Sequence, residues 1–215
     1  MPGVDDGVET VTESEEVTKK EFDDGAVGIA FSSHFYLDNE NVDEFLARRD
    51  EALERLNPSY PHEVWAEVRM HPDLVNFDLD RLTLHHKYIL LEYPYGTIKP
   101  IWDDYVIDEM LKRNYTPVLA HVERFPYLSE ADLKKYKSKG CLLQVNADFA
   151  TYKHSFRKMY KRGLVDVVAS DTHGWRRPPK LKEAYMAIIE NNGYDVAEEL
   201  MKNSKKLFFG NIEEV

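Results

Sequence analysis

Five short apolar runs in this 215-residue chain carry or are followed by histidines, carboxylates or arginines. Ser32-Ser33-His34 follows 26–31, Glu67 and Arg69 lie in 63–70, and Glu92 lies in 87–93. His121 ends 117–121 and leads to Glu123-Arg124, while Asp171-Thr172-His173 follows 165–170. A single histidine in such a position is most simply a hydrogen-bonded core or surface residue. Five polar clusters repeated at equivalent positions describe a site. A carboxylate inside Ala66-Glu67-Val68 or Leu91-Glu92-Tyr93 is costly to bury alone, so each needs a cation or a hydrogen-bond partner. Arg69 and Arg124 are candidates for that partner, and the surrounding imidazoles favour a metal ion instead. Imidazole and carboxylate without thiolate suit Mn²⁺, Fe²⁺ or Zn²⁺, and ligand softness does not choose among them. Two or more such ions a few ångströms apart form the usual clamp for phosphoryl chemistry, one activating water while the others hold the phosphoryl oxygens. The forked guanidinium groups of Arg69 and Arg124 match the free oxygens of a phosphate. Arg176-Arg177, beside His173, read equally well as a phosphate clamp or as a solvated loop.

Such a cluster needs elements that bring it to one edge. From Ala26 onward, short apolar runs at 26–31, 63–70, 87–93, 117–121, 142–146 and 165–170 alternate with helical patterns at 41–56, 100–113, 129–139, 153–162, 180–192 and 194–204. A further helix is expected at 10–24. Repeated βα units with nearly continuous apolar strands predict a parallel sheet or barrel covered on both faces. In barrels of this kind the site assembles at the C-terminal ends of the strands. His62, His71, His85, His86 and His154 fall at strand starts, in loops or on a helix and are read as non-ligands. Phe35-Tyr36, Tyr93, Tyr95, Phe125 and Tyr127 are read as core or rim packing, some of them available to line a pocket for an aromatic ring. Length and the lack of a Gly/Ser-rich linker predict one domain over residues 1–215.

Composition narrows the functions. A net charge of −11, from 39 acidic and 28 basic residues, argues against a phosphate-backbone binder, so nucleic acid is not an expected partner. The single cysteine, Cys141, forms no internal disulfide and no Cys-rich zinc site. Its apolar surroundings, Cys141-Leu142-Leu143-Gln144-Val145, describe a small buried side chain rather than a nucleophile. The N-terminus has neither a basic region nor an apolar stretch, and no segment reaches the length needed to span a bilayer. A cytoplasmic protein without membrane insertion is expected.

The ordered set of motifs resembles the PHP-superfamily protein tyrosine phosphatases of capsule and exopolysaccharide loci. The matching pieces are Pro2-Gly3-Val4-Asp5-Asp6-Gly7, Ser33-His34-Phe35, Ala66-Glu67-Val68-Arg69, Leu91-Glu92-Tyr93-Pro94, Ala120-His121-Val122-Glu123-Arg124-Phe125, Gln144-Val145-Asn146-Ala147, and Ala169-Ser170-Asp171-Thr172-His173 with Arg177-Pro178-Pro179. The resemblance implies a distorted seven-stranded (β/α) barrel, similar to a TIM barrel, with three metal ions usually assigned as manganese. By motif, Asp6, His34 and His173 resemble one site, and Glu92 and His121 with a bridging Glu67 resemble a second. Glu67 and Asp171 resemble part of a third, completed in the family by two histidines of an HxH strand immediately before the Pro-Gly-x-Asp-Asp-Gly turn. Arg69, Arg124 and Arg177 are the implied phosphate-binding residues. This sequence contains no HxH. A barrel without its first strand is therefore expected, with two or three ions; a start codon assigned too late is favoured over a natural truncation as its origin. The implied substrate is a phosphotyrosine protein, a bacterial tyrosine kinase. A small phosphomonoester, as in histidinol phosphatases of the same superfamily, and a non-catalytic metal- or partner-binding protein are the alternatives.

Overall fold

The computed structural model describes residues 1–210. After an N-terminal turn, the elements run α1 (Val11–Asp23), β1 (Ile29–Phe35), α2 (Val42–Leu56), β2 (His62–Arg69), β3 (Tyr88–Glu92), α3 (Asp103–Lys112) and β4 (Thr116–Leu119). They continue with α4 (Glu130–Ser138), β5 (Leu142–Asn146), α5 (Ala147–Ala150), α6 (Lys153–Lys161), β6 (Val167–Ala169), α7 (Leu181–Asn192) and α8 (Tyr194–Phe209). Local chemistry starts several helices. Thr10 caps α1 through Glu13 N–H, Asn41 caps α2 through Asp43 and Glu44, and Ser129 with Asp132 closes a capping box on α4. The short 3₁₀ turns at Pro72–Asn76, Asp80–Leu82 and Val122–Arg124, and the four-residue α5, were not expected, because single turns leave no periodic signal.

All six strands pair in parallel, in the order β1-β2-β3-β4-β5-β6. The family barrel, expected here without its first strand, is a curled six-stranded parallel sheet among the described residues, and β1 and β6 are its edges. The sheet curls: inward side chains of every strand, including Ser32, Trp65, Leu90, Val118, Gln144 and Val167, line one hollow of about 590 Å³. The hollow opens between the two edge strands, where α1 lies with Ser14, Val17, Thr18 and Glu21 against it.

The first strand is displaced from its expected range, 26–31, to Ile29–Phe35. Seven consecutive residues match His62–Val68 of β2, and a continuous ladder outweighs the polar character of Ser32-Ser33-His34. The last strand is shorter than expected, three residues rather than 165–170. Register also separates the two faces. Phe35, Val68, Leu91 and Leu119 form one row facing the helices, joined by Phe45, Val106, Ile107 and Met110 in the main core. The adjacent row, His34, Glu67, Leu90, Val118 and Leu142, faces inward. A smaller apolar cluster of Trp65, Leu84, Leu90, Val118, Val167 and Leu207 fills the bottom of the curl.

Candidate metal centre

Period-two alternation puts His34 of β1, Glu67 of β2 and Glu92 of β3 on the inner face, near the C-terminal ends of their strands. His121 follows β4 with φ 31°, a left-handed conformation unusual for a residue with a side chain. Its N–H donates to Gln144 Oε1 at 2.5 Å, which holds that turn. Asp171 after β6 is also left-handed, with φ 49°. Two non-glycine residues in this region, each just beyond a strand, mark the edge where local geometry is set by tertiary contacts.

Two groups of ligand atoms meet at His34. In the first, His34 Nε2 lies 3.2 Å from His173 Nε2, with Asp6 Oδ1 at 3.4 Å and 3.8 Å from those nitrogens. In the second, Glu67 and Glu92 face His34, and His121 Nε2 lies 2.8 Å from Glu67 Oε1 and 3.4 Å from Glu92 Oε1. Glu67, Glu92 and His121 are 5%, 1% and 1% exposed, so water does not solvate their charges. His34 Nδ1, Glu92 Oε2 and His121 Nδ1 are buried without a hydrogen-bond partner. Facing imidazole nitrogens, adjoining carboxylates and orphaned polar atoms are what a divalent cation satisfies, so these residues fit metal ions.

Electrostatics agree. Burial, reinforced by the neighbouring Glu67 charge, raises the Glu92 carboxyl above the ordinary range. Burial disfavours the His121 imidazolium, but the Glu67 hydrogen bond with the Glu67, Asp171 and Glu92 charges outweighs it, and the pKa is raised. Burial and the Glu92 charge push the Tyr95 phenol up to about 12, and Tyr36 rises for the same two reasons. In all four the neighbouring carboxylates push the same way, the sense of a field that draws in cations.

Asp6, His34, Glu92 and His173 line a cleft of about 320 Å³ together with Tyr36, Tyr95, Arg124 and Arg177, while Glu67 and His121 line the hollow of the curl. Of the ten residues singled out from sequence, Asp6, His34, Glu67, Glu92, His121 and His173 come together in the two groups. Asp171 belongs to neither; its carboxylate accepts from Asn146 Nδ2 at 2.5 Å and pairs with Arg177 and, at 3.5 Å, Arg124. Arg69 is not part of the cleft lining: its guanidinium stacks on the Tyr36 ring at 3.7 Å and reaches toward Asp38. Asp5 was not anticipated. One of its oxygens accepts Gly7 N–H and the other accepts His34 N–H at 2.9 Å, tying the turn that carries Asp6 to β1. The Asp-Asp-Gly turn was the available signal. Glu123, which accepts Asn146 N–H, was noticed only as a neighbour of Arg124.

A family profile described as "Capsular polysaccharide synthesis, CpsB/CapC" matches residues 1–209. The chain belongs to the CpsB/CapC family. The resemblance read from the motifs is borne out. Similar CpsB/CapC relatives include a tyrosine-protein phosphatase CpsB from Streptococcus pneumoniae, 28% identical over 95% of this chain and 93% of its own. Another, from Streptococcus agalactiae, is 28% identical over 92% of this chain and 90% of its own. The fold is similar to that of a chain from the crystal structures of YwqE from Bacillus subtilis and CpsB from S. pneumoniae, unique metal-dependent tyrosine phosphatases. The TM-score is 0.78, with 23% identity over 98% of this chain and 92% of that one. CpsB/CapC membership covers the whole stretch from the Asp-Asp-Gly turn to α8. No helix among the described residues is long and apolar enough to cross a membrane.

Proposed function

We propose that this chain hydrolyses phosphotyrosine in protein, on a bacterial tyrosine kinase that controls capsule or exopolysaccharide synthesis. The observation that carries this reading is the pair of ligand groups sharing His34, which lines a cleft together with two tyrosines and two arginines. The activity named for the CpsB relatives supports it. Asp6, His34, His173, Glu67, Glu92 and His121 would hold divalent cations, which when bound would acidify water and neutralise phosphoryl charge. Manganese is our choice, with Fe²⁺ and Zn²⁺ compatible with the same donors. Arg124 and Arg177 bind the free phosphoryl oxygens, and Asp171 orients both guanidinium groups. Tyr36 and Tyr95 bracket the substrate ring, and Arg69 acts by holding Tyr36 in place. The reaction is cytoplasmic in this reading, in one domain over residues 1–215.

A seventh strand between β1 and β6 completes the barrel in our reading, and the motif resemblance makes it the HxH strand. Three features support this: the two edges carry unpaired backbone groups, the hollow opens between them, and Ser33 Oγ and Glu21 Oε2 are buried beside it without partners. The test is turnover of p-nitrophenyl phosphate, a phosphotyrosine peptide and an alkyl phosphate with added Mn²⁺. It compares this chain with one preceded by an HxH strand. We expect both aryl substrates to turn over, faster in the longer chain, with the alkyl phosphate disfavoured. Turnover of the alkyl phosphate in preference to the peptide moves the substrate to small phosphomonoesters. Failure of both chains on every substrate leaves a non-catalytic binding protein.

A further inference from the structure

The segment between β3 and α3 is held firmly yet displays apolar side chains to water. Tyr93 and Tyr136 hydroxyls both donate to Asp103, at 3.0 Å and 2.5 Å, and Asp103 is buried. Tyr127 Oη donates to the Pro94 carbonyl at 2.7 Å, and Lys99 Nζ donates to Asp132 at 2.7 Å and Tyr136 Oη at 3.1 Å. The segment is therefore tied at its start, middle and end. Nevertheless Ile101 is 97% exposed and Ile98 81%, with Tyr95 at 61% and Tyr105 at 52%. Isoleucine is among the residues most often buried, and four large apolar side chains within eleven residues are more than isolated surface hydrophobes.

We propose that residues 94–105 form a recognition platform for apolar residues flanking the phosphotyrosine of a protein substrate. The proposal rests on the phosphotyrosine reading above. Continuity with the cleft identifies the occupant: Tyr95 lines the cleft, its ring 5.6 Å from the Arg124 guanidinium, and also begins the exposed row. Ile98 and Ile101 follow three and six residues later, within about 10 Å and 20 Å along the chain, the reach of three to six extended substrate residues. Charge selects the occupant's character. Within residues 94–105 Asp103 is buried and the other charges are paired, Lys99 with Asp132 and Asp104 with Lys135, so the platform offers a neutral, largely apolar surface. A second copy of the chain is disfavoured as occupant because each carries a net charge of −11.

The test uses fluorescein-labelled nonapeptides with a central phosphotyrosine and either isoleucine or serine at the flanking positions. Binding to the full chain, with and without Mn²⁺, is read by fluorescence anisotropy, so it does not depend on turnover. The wild type should bind the isoleucine-flanked peptide about tenfold more tightly, the scale set by burying two isoleucine side chains. In the I98S/I101S double variant that preference should vanish while affinity for the serine-flanked peptide stays unchanged. Equal binding of both peptides by the wild type, a preference that survives in the double variant, or no binding at all overturns the platform. Sedimentation showing a wild-type dimer that I98S/I101S converts to a monomer also overturns it, in favour of self-association. An unphosphorylated isoleucine-flanked peptide separates the two readings: if it binds as well as the phosphorylated one and I98S/I101S releases it, the platform stands and the phosphate-site reading fails.

Discussion

His34 belongs to both ligand groups, so a single substitution there reaches the whole centre. His34→Gln should remove saturable Mn²⁺ binding in isothermal titration calorimetry while the circular dichroism spectrum is retained. Undiminished binding would mean that the two groups do not act through His34. Cys141 tests burial rather than chemistry. Its thiol, packed beneath the sheet, is pushed up to about 12 by burial. Native protein at pH 8 should therefore react with a thiol reagent only as it unfolds. Above roughly pH 8.5 an unfolded chain releases the proton that the folded chain keeps, so stability from this group falls as pH rises, at about 1.4 kcal/mol per pH unit. Rapid labelling of folded protein would contradict that burial.

Elements act on the site through hydrogen bonds rather than through its ligands. α1 grips the loop that carries Asp171, His173 and Arg177: Glu21 accepts Thr172 Oγ1 at 2.7 Å, Glu13 accepts Trp175 N–H at 3.1 Å, and Glu16 accepts the Trp175 indole at 3.3 Å. Glu21→Ala should weaken Mn²⁺ binding by about tenfold to a hundredfold, the usual effect of removing an outer support, with helix content unchanged. On the far side of the cleft, Asp103 joins β3, α3 and α4 through two tyrosines and approaches Lys99 at 3.4 Å. Asp103→Ala leaves two buried hydroxyls without their acceptor and should cost roughly 3 kcal/mol in urea denaturation. A cost near zero would mean that the two tyrosines find new partners.

At the scale of the molecule, the open side of the curl dominates. An apolar hollow with two strand edges should bind a hydrophobic dye such as anilinonaphthalene sulfonate in the native state. A chain preceded by the HxH strand should bind far less dye and melt at a higher temperature, because backbone groups at both edges gain partners. If dye binding is unchanged by the added strand, that strand does not enter the hollow. α1 turns a partly polar face, Ser14, Thr18 and Glu21, toward the hollow.

Much of this protein was legible as sequence because apolar runs and strand-end chemistry are local. Six parallel strands and the gathering of His34, Glu67, Glu92, His121 and His173 follow from apolar runs that carry or lead into polar residues, whereas Asp6 was reached only through the motif resemblance. Helix starts were readable from Asn41 and Ser129, whose side chains cap the following turns. What remained were choices made by distant partners. Pairing with β2 drew the first strand on to Phe35 and put His34 inside it. Arg69 turned to Tyr36, and Asp171 turned to two arginines and Asn146, because ion pairs and stacking depend on which side chains the curl brings within reach. Asp5 gained its role only when the N-terminal turn met β1 across 29 residues. Residue type and spacing, with the motif resemblance for Asp6, determined which side chains could hold metal; the curl of the sheet decided which of them meet, since contacts between remote segments leave no periodicity along the chain.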